Sequence, residues 1–402
     1  MTRSHFSNRA FRQRGVILIA IFAVLGVGAI YLLVKQLNST NLRTSREQIT
    51  TAALAQAKEA LIGNAISSPM VTSAAYLRLP DLGFVIDPAE GNEAPNFAGN
   101  NQDYSVIGKV PWKSLGLPAS RDEYAECLWY VVSGRFKKTP PTAGPLNWDT
   151  QGQIDILDGS GNPIASNLAA LIVAPGPALD DQSHALSDAA YAECGGNYDA
   201  RNYLDSFDIA NAVSGELNYF TGSTNNRVAL DGNNKRFVMA KNDYYNDRFL
   251  FVTVDDIFRP LIRRGDFAAK ITQMLGDAVF QGHLKGIIIE GEKGTKNINC
   301  NAAPDPDFCA NWKEMLFLTQ LTPPASLTGG PPPLCSHVII FSGQKITPQV
   351  RTTAAEKSNK ANYLEGTNLA AFNVPLANSA TFSGTATFNA NAPGADILRC
   401  LL

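Results

Sequence analysis

An uncharged, apolar run from Gly15 to Val34 opens the chain after a short polar start. About 20 apolar residues at a helical rise of about 1.5 Å suffice to span a bilayer core. No proline then occurs before Pro69. Within this stretch Leu54, Ala57, Leu61 and Ala65 recur at spacings of three and four, as do Ala53, Ala57 and Ala60, while Gln48, Lys58 and Glu59 fall on other faces. That is the period of one apolar helical stripe, and Ala, Leu, Glu, Gln and Lys all favour helix. The pattern predicts one helix from Val16 to Ile66, roughly 75 Å long. Residues 16–34 are expected in lipid, and the remainder is expected to lie along a globular head.

From Ser67 to Ser105 Pro, Asn and Gly punctuate a connecting loop region, and the periodicity then changes. Ile107 to Trp112 leads into Cys127-Leu128-Trp129-Tyr130-Val131-Val132, whose aromatic and β-branched residues mark a buried strand or a helix end. Ile154 to Leu157, the turn residues Asp158 to Asn162, and Pro163 to Ala165 read as a hairpin. Leu171-Ile172-Val173-Ala174 is a buried strand ended by Pro175-Gly176, and Arg248 to Thr253 is another. A helix capped by Thr253 or Asp255 is expected to run on through Leu261, Ile262, Phe267, Ile271 and Leu275.

The strand at 171–176 has an echo in Val338-Ile339-Ile340-Phe341-Ser342-Gly343. Each glycine is followed six residues later by a glutamine, Gln182 and Gln349. Asn202-Tyr203-Leu204-Asp205 then matches Asn362-Tyr363-Leu364-Glu365, and Ile209-Ala210 answers Leu369-Ala370. Order and spacing indicate a degenerate internal duplication. The expected organisation is a leader (1–15), a long helix (16–66), a connection (67–105), a first β-rich lobe (106–260), a linking helix (261–283) and a second β-rich lobe (284–402). The expected fold class is α+β, a long N-terminal transmembrane and amphipathic α-helix followed by a β-rich, duplicated head.

The 402 residues are 45% hydrophobic and only 17% charged, a composition that folds. Net charge is −2, with no long basic run beyond the N-terminus, which argues against a nucleic-acid partner held through phosphates. Arg3, Arg9, Arg12 and Arg14 flank the apolar run, and such a flank holds its side in the cytoplasm. All six cysteines lie downstream, where an oxidising compartment would pair them. Cys300 and Cys309 enclose a short Pro-rich polar loop and form the best candidate disulfide. Cys127 with Cys194, and Cys335 with Cys400, follow from neighbourhood only.

The junction Arg12-Gln13-Arg14-Gly15-Val16-Ile17-Leu18-Ile19 resembles the type IV pilin and type II secretion pseudopilin superfamily, in which a basic leader ending in Gly precedes an apolar helix. The resemblance covers roughly the first 65 residues, a span set by the helical continuity. It implies cleavage between Gly15 and Val16 by a prepilin peptidase and methylation of the new Val16 amine. It further implies a bacterial, single-pass inner-membrane protein with a cytoplasmic N-terminus and a periplasmic head, incorporated into a pilus or pseudopilus. The partners it implies are other pilins or pseudopilins, met through the N-terminal helix, and an inner-membrane assembly platform. Two departures stand out. The position where most members carry Glu is Ala20 here, and the usual helix-interrupting proline is Leu37. In the family the large minor subunit at the filament tip is the one without that Glu.

Candidate chemistry is sparse. Asp158, Ser160 and Asn162 alternate as calcium-loop ligands do, yet no later bidentate Glu follows and turn chemistry accounts for them. Calcium is a family trait of pseudopilin heads, so this loop stays a candidate. The four histidines are His5, His184, His283 and His337, none with a ligand at i+4. No G-x-S-x-G, H-E-x-x-H or P-loop occurs, and Gly291-Glu292-Lys293-Gly294-Thr295-Lys296 has the wrong order. The expectation is a non-catalytic minor or tip subunit without cofactor. The alternative is a stationary, inner-membrane-anchored periplasmic protein that binds a ligand.

Overall fold

The computed structural model describes residues 44–401, apart from 71–73, 84–88, 96–104, 138–143, 180–181, 185–192, 206–211, 214–215, 221–236, 242–244, 288–297, 326–334 and 374–380. Helix within these residues begins at 44 and ends at 67. Its portion from residue 53 (α1) belongs to a compact unit of residues 53–402, while 44–52 belongs to a separate N-terminal unit. Among the described residues no helix is long and apolar enough to cross a membrane. The expectations of a long transmembrane helix and of a single-pass inner-membrane placement are therefore corrected. The reason is compositional: the helical run from 44 carries Arg46, Glu47, Lys58 and Glu59, with only a narrow apolar stripe. Residues 16–34, on which the span was read, lie outside the described residues.

The class is α+β, with three sheets among the described residues. The largest holds β1 (Ser105–Lys109), β2 (Trp129–Val132), β5 (Ala170–Ala174), β6 (Ala212–Val213), β7 (Glu216–Phe220) and β9 (Arg248–Val252) in the order β6-β7-β1-β2-β5-β9, every neighbouring pair antiparallel. Its register sets Val106 against Val132, Trp129 against Val173 and Leu171 against Phe251. Both faces are covered. Val106, Tyr130, Val132, Ala170, Ile172 and Val252 enter the main core, while Ile107, Trp129, Val131, Leu171 and Val173 enter a second one. Because successive side chains alternate between faces, a strand buried on both sides must be apolar throughout. That is why Leu171-Ile172-Val173 has no polar member.

The second core is closed by a small sheet of order β4-β3-β8, formed by β3 (Ile154–Asp158), β4 (Pro163–Leu168) and β8 (Phe237–Met239). The β3–β4 pair is the expected hairpin, whereas β8 joins β3 in parallel. The third sheet, β10 (Leu316–Ala325), β11 (Cys335–Phe341) and β12 (Ile397–Leu401), is antiparallel in that order.

Between β9 and β10 in the chain come α2 (Val254–Leu261), α3 (Gly265–Gly276), α4 (Ala278–Lys285) and α5 (Pro306–Trp312). One expected linking helix is thus three, because Arg264 and Asp277 are extended and restart it. The restart at Asp277 is capped by its own side chain, which accepts the Phe280 N–H. Strand residues of both regions share one core with these helices, and Trp148 packs edge-on against Trp312 with ring centroids 4.6 Å apart. The chain ends with α6 (Ala354–Ser358) and α7 (Gly366–Asn373) before β12.

Candidate functional site

Two features deserve a functional reading: the seat of α1, and a pair of matching loops.

Leu54, Ala57, Leu61 and Ala65 are buried in the main core. Each fully buried Leu contributes about 1.5–3 kcal/mol, and the alanines let the helix approach closely. Polar clamps hold the helix at both ends of this stripe. Near its start, Lys58 Nζ lies 2.8 Å from Asp256 Oδ2. Asp256 is already committed to the start of α2, where its carboxylate accepts the Thr253 N–H and the Thr253 hydroxyl accepts the Asp256 N–H. Burial works to raise the Asp256 carboxyl, but Lys58 and the capping hydrogen bonds outweigh it and hold the group below its ordinary range. At the other end, the Arg264 guanidinium donates to the carbonyls of Ile66 and Ser68, the latter at 2.8 Å. These carbonyls belong to the helix end, where intrahelical partners run out. Cation and dipole are correctly matched there.

The two matching loops make corresponding hydrogen bonds. After β5, Gly176 N–H donates to Asp122 Oδ2 at 2.9 Å; after β11, Gly343 N–H donates to Asp396 Oδ1 at 3.2 Å. Gln182 Oε1 accepts the Leu179 N–H at 2.9 Å, and Gln349 Oε1 accepts the Ile346 N–H at 3.0 Å. Gln182 Nε2 donates to Asp205 Oδ1 at 3.0 Å, and Gln349 Nε2 to Glu365 Oε1 at 2.6 Å. Each acid ends an Asn-Tyr-Leu-acid run that begins in a one-turn helix, Ala200–Asn202 or Lys360–Asn362, and each run buries its tyrosine, Tyr203 or Tyr363. A glutamine that bridges its own loop to a distant carboxylate fixes both pieces of chain at once.

Several carboxyls here are shifted by burial. Asp396 is pushed up to about 7 by burial, with Glu365 adding to the rise and Asn368, the Gly343 N–H and Arg351 opposing it. Burial also raises Asp122 against three backbone N–H donors. Asp247 is driven well above the carboxylate range by burial and by neighbouring Asp205. For a raised acid the folded state holds the proton that the unfolded chain releases, so its stabilisation is complete below about pH 4 and is lost as pH rises through the folded value. The urea midpoint of the full chain is expected to fall between pH 5 and pH 8, by a few kcal/mol in stability. His337, lowered by burial and by Lys285, works in the opposite sense. A midpoint that climbs steadily across this range would contradict the assignment.

Cys127–Cys194, Cys300–Cys309 and Cys335–Cys400 are bonded, with Cα separations of 5.6, 5.4 and 5.2 Å. The last of these staples neighbouring strands β11 and β12. In the Asp158 loop the carboxylate is occupied by its own turn, accepting from Ser160 N–H at 2.9 Å, Asn162 N–H at 2.8 Å and Asn162 Nδ2 at 3.0 Å. Such use explains Asp158, Ser160 and Asn162 as hairpin chemistry. Among the described residues no group of three His, Cys, Asp or Glu side chains could hold a metal. Gly15, Val16 and Ala20 lie outside the described residues.

Sequence reasoning passed over Lys109, Asp149 and Arg351, all nearly fully buried. Arg351 donates to Asp149 Oδ2 at 3.1 Å, to the Gly343 carbonyl at 3.0 Å and to Gln349 Oε1 at 3.1 Å. Lys109 Nζ donates to the Gly195 carbonyl at 2.8 Å and stands 4.4 Å from the Tyr198 ring centre. The only signal for Arg351 was its place two residues past the repeat glutamine. No family model, curated protein or solved structure matches this chain.

Proposed function

We propose that the chain is a non-catalytic, pilin-like subunit of a type IV pilus or type II secretion filament, of the minor or tip kind. It primes assembly or contacts cargo with its head. The observation that carries this reading is the seat of α1. Its stripe is sunk in the core, and Lys58–Asp256 and Arg264 clamp its two ends. A helix held in this way is an integral part of the head rather than a separate appendage. The junction at Arg14-Gly15-Val16 supports the same reading from sequence. Its partners are other pilin-like subunits, an assembly platform and a prepilin peptidase, and the work is done by packing rather than by bond making.

Processing tests the proposal. Protein isolated from its native host is expected to begin at Val16 with a methylated amine, read by N-terminal peptide mass spectrometry. A mature protein that still begins at Met1 or Thr2 would refute it.

A further inference from the structure

A second shielded carboxyl accompanies the Arg351–Asp149 pair. Asp396, just ahead of β12, is almost wholly buried. Its Oδ1 accepts the Gly343 N–H at 3.2 Å, and its Oδ2 accepts from Asn368 Nδ2 at 2.7 Å. Asn368, on α7, is buried as well and grips Ser383 twice. Its Nδ2 donates to the Ser383 carbonyl at 2.7 Å, and its Oδ1 accepts the Ser383 N–H at 2.9 Å. The Thr385 N–H closes the knot by donating to the Asp396 carbonyl at 2.9 Å. One carboxyl group thus joins three pieces of chain: the loop after β11, α7 and the segment 381–385.

The charges acting on Asp396 come from two residues. Glu365, immediately before α7, repels a negative charge there, and its own Oε1 accepts from Gln349 Nε2 at 2.6 Å. Arg351 attracts it, but that guanidinium is already spent on Asp149 at 3.1 Å. Neither α7 nor residues 381–395 include a charged side chain, and Lys345 of the loop is exposed. The two donors to Asp396 are neutral amides, so its ionised form is a buried charge without a cation of its own. Such a charge costs free energy that a proton removes.

We propose that Asp396 is a proton-operated latch. With its proton, it keeps α7 and the segment 381–385 docked on the loop after β11. Ionised, it lets those two pieces open locally while the β10-β11-β12 sheet stays formed. Burial pushes the Asp396 carboxyl up to about 7 and raises Glu365 in the same direction. The closed latch therefore binds a proton that the open one, with an ordinary carboxyl, releases. Opening climbs about tenfold per pH unit above about pH 4 and levels off above about pH 7.

Amide exchange on the full chain tests this, corrected for intrinsic exchange and read at Leu369, Ser383 and Thr385. Ile339 in β11 reports global unfolding and serves as the reference. Relative to Ile339, opening is expected to rise about thirtyfold from pH 5.5 to pH 8, with its plateau inside that range. Asp396→Asn is expected to lose this rise, whatever its level of opening. Glu365→Gln leaves the donors to Asp396 in place but removes the like charge, so the plateau is expected to begin at lower pH. Should Asp396→Asn fail to fold, Glu365→Gln and the wild type decide the matter. If Asp396→Asn keeps the wild-type rise, or Glu365→Gln leaves the plateau unmoved, another group is responsible and the proposal fails. A wild type that opens equally at both pH values overturns it as well.

Discussion

Arg351→Met is expected to destabilise the protein by about 3–5 kcal/mol, measured by urea unfolding at neutral pH. The guanidinium is wholly shielded, and so is the carboxylate of Asp149 that it meets. Burial pushes the Asp149 carboxyl up, and Arg351 is the chief influence pulling it back. Methionine fills much of the volume but leaves that carboxylate without its cation. It also strips a partner from the carbonyls of Gly343 and Asn362 and from Gln349 Oε1. The full desolvation cost of these groups then appears, rather than the small net value of a satisfied bond. Adding Asp149→Leu to the same chain should recover a large part of the loss, since an apolar pair needs no ionic partner. Were the single substitution to cost less than about 1 kcal/mol, the level of an exposed pair, the pair would not be the buried lock described here. The same lock ties the second repeat loop to residues 145–150, because Asp149 lies in the first region of the chain and Arg351 in the last.

That pair also marks the limit of what pattern could reveal. The buried strands were legible because burial on two faces leaves an unmistakable apolar run, as in Leu171-Ile172-Val173 and Val338-Ile339-Ile340. The hairpin at Asp158 was legible because its turn is local, written in consecutive residues. The parallel pairing of β8 with β3 was not, since Phe237–Met239 is far from Ile154–Asp158 in sequence and carries no turn signal. Charged residues are rarely buried, and a single sequence carries no sign of the exceptions. Lys109, Asp149 and Arg351 are exceptions because partners supplied from distant segments satisfy them. The stripe of Leu54, Ala57, Leu61 and Ala65 was legible for the same reason as the strands, since a helical period names the face that a protein core covers. The membrane-spanning part of the expected helix was not, because it was read on residues 16–34, outside the described ones. The repeat was visible in its glutamines and its Asn-Tyr-Leu runs.

Removing disulfides should produce the largest losses of all. The bridges Cys127–Cys194 and Cys335–Cys400 close loops of 67 and 65 residues, and Cys300–Cys309 closes one of 9. Chain-entropy reasoning assigns about 4 kcal/mol to each long loop and about 2.5 kcal/mol to the short one. Their sum, about 11 kcal/mol, is comparable to the whole stability of an ordinary domain. Full reduction is therefore expected to unfold residues 53–402 at room temperature, seen as loss of near-ultraviolet dichroism from Trp129, Trp148 and Trp312. Paired Cys→Ala variants separate the contributions. If restraint of the unfolded chain dominates, the two long-loop variants should lose nearly the same stability, because their loop lengths are nearly the same. Their native settings differ sharply, however. Cys335 and Cys400 sit on strands already joined by a ladder, while Cys194 is tied near the Ala200 turn by Cys127 and by Glu90, whose carboxylate accepts its N–H at 2.6 Å. A much larger loss for the Cys127–Cys194 pair would show that native-state anchoring of the first repeat, not loop entropy, is what that bridge supplies.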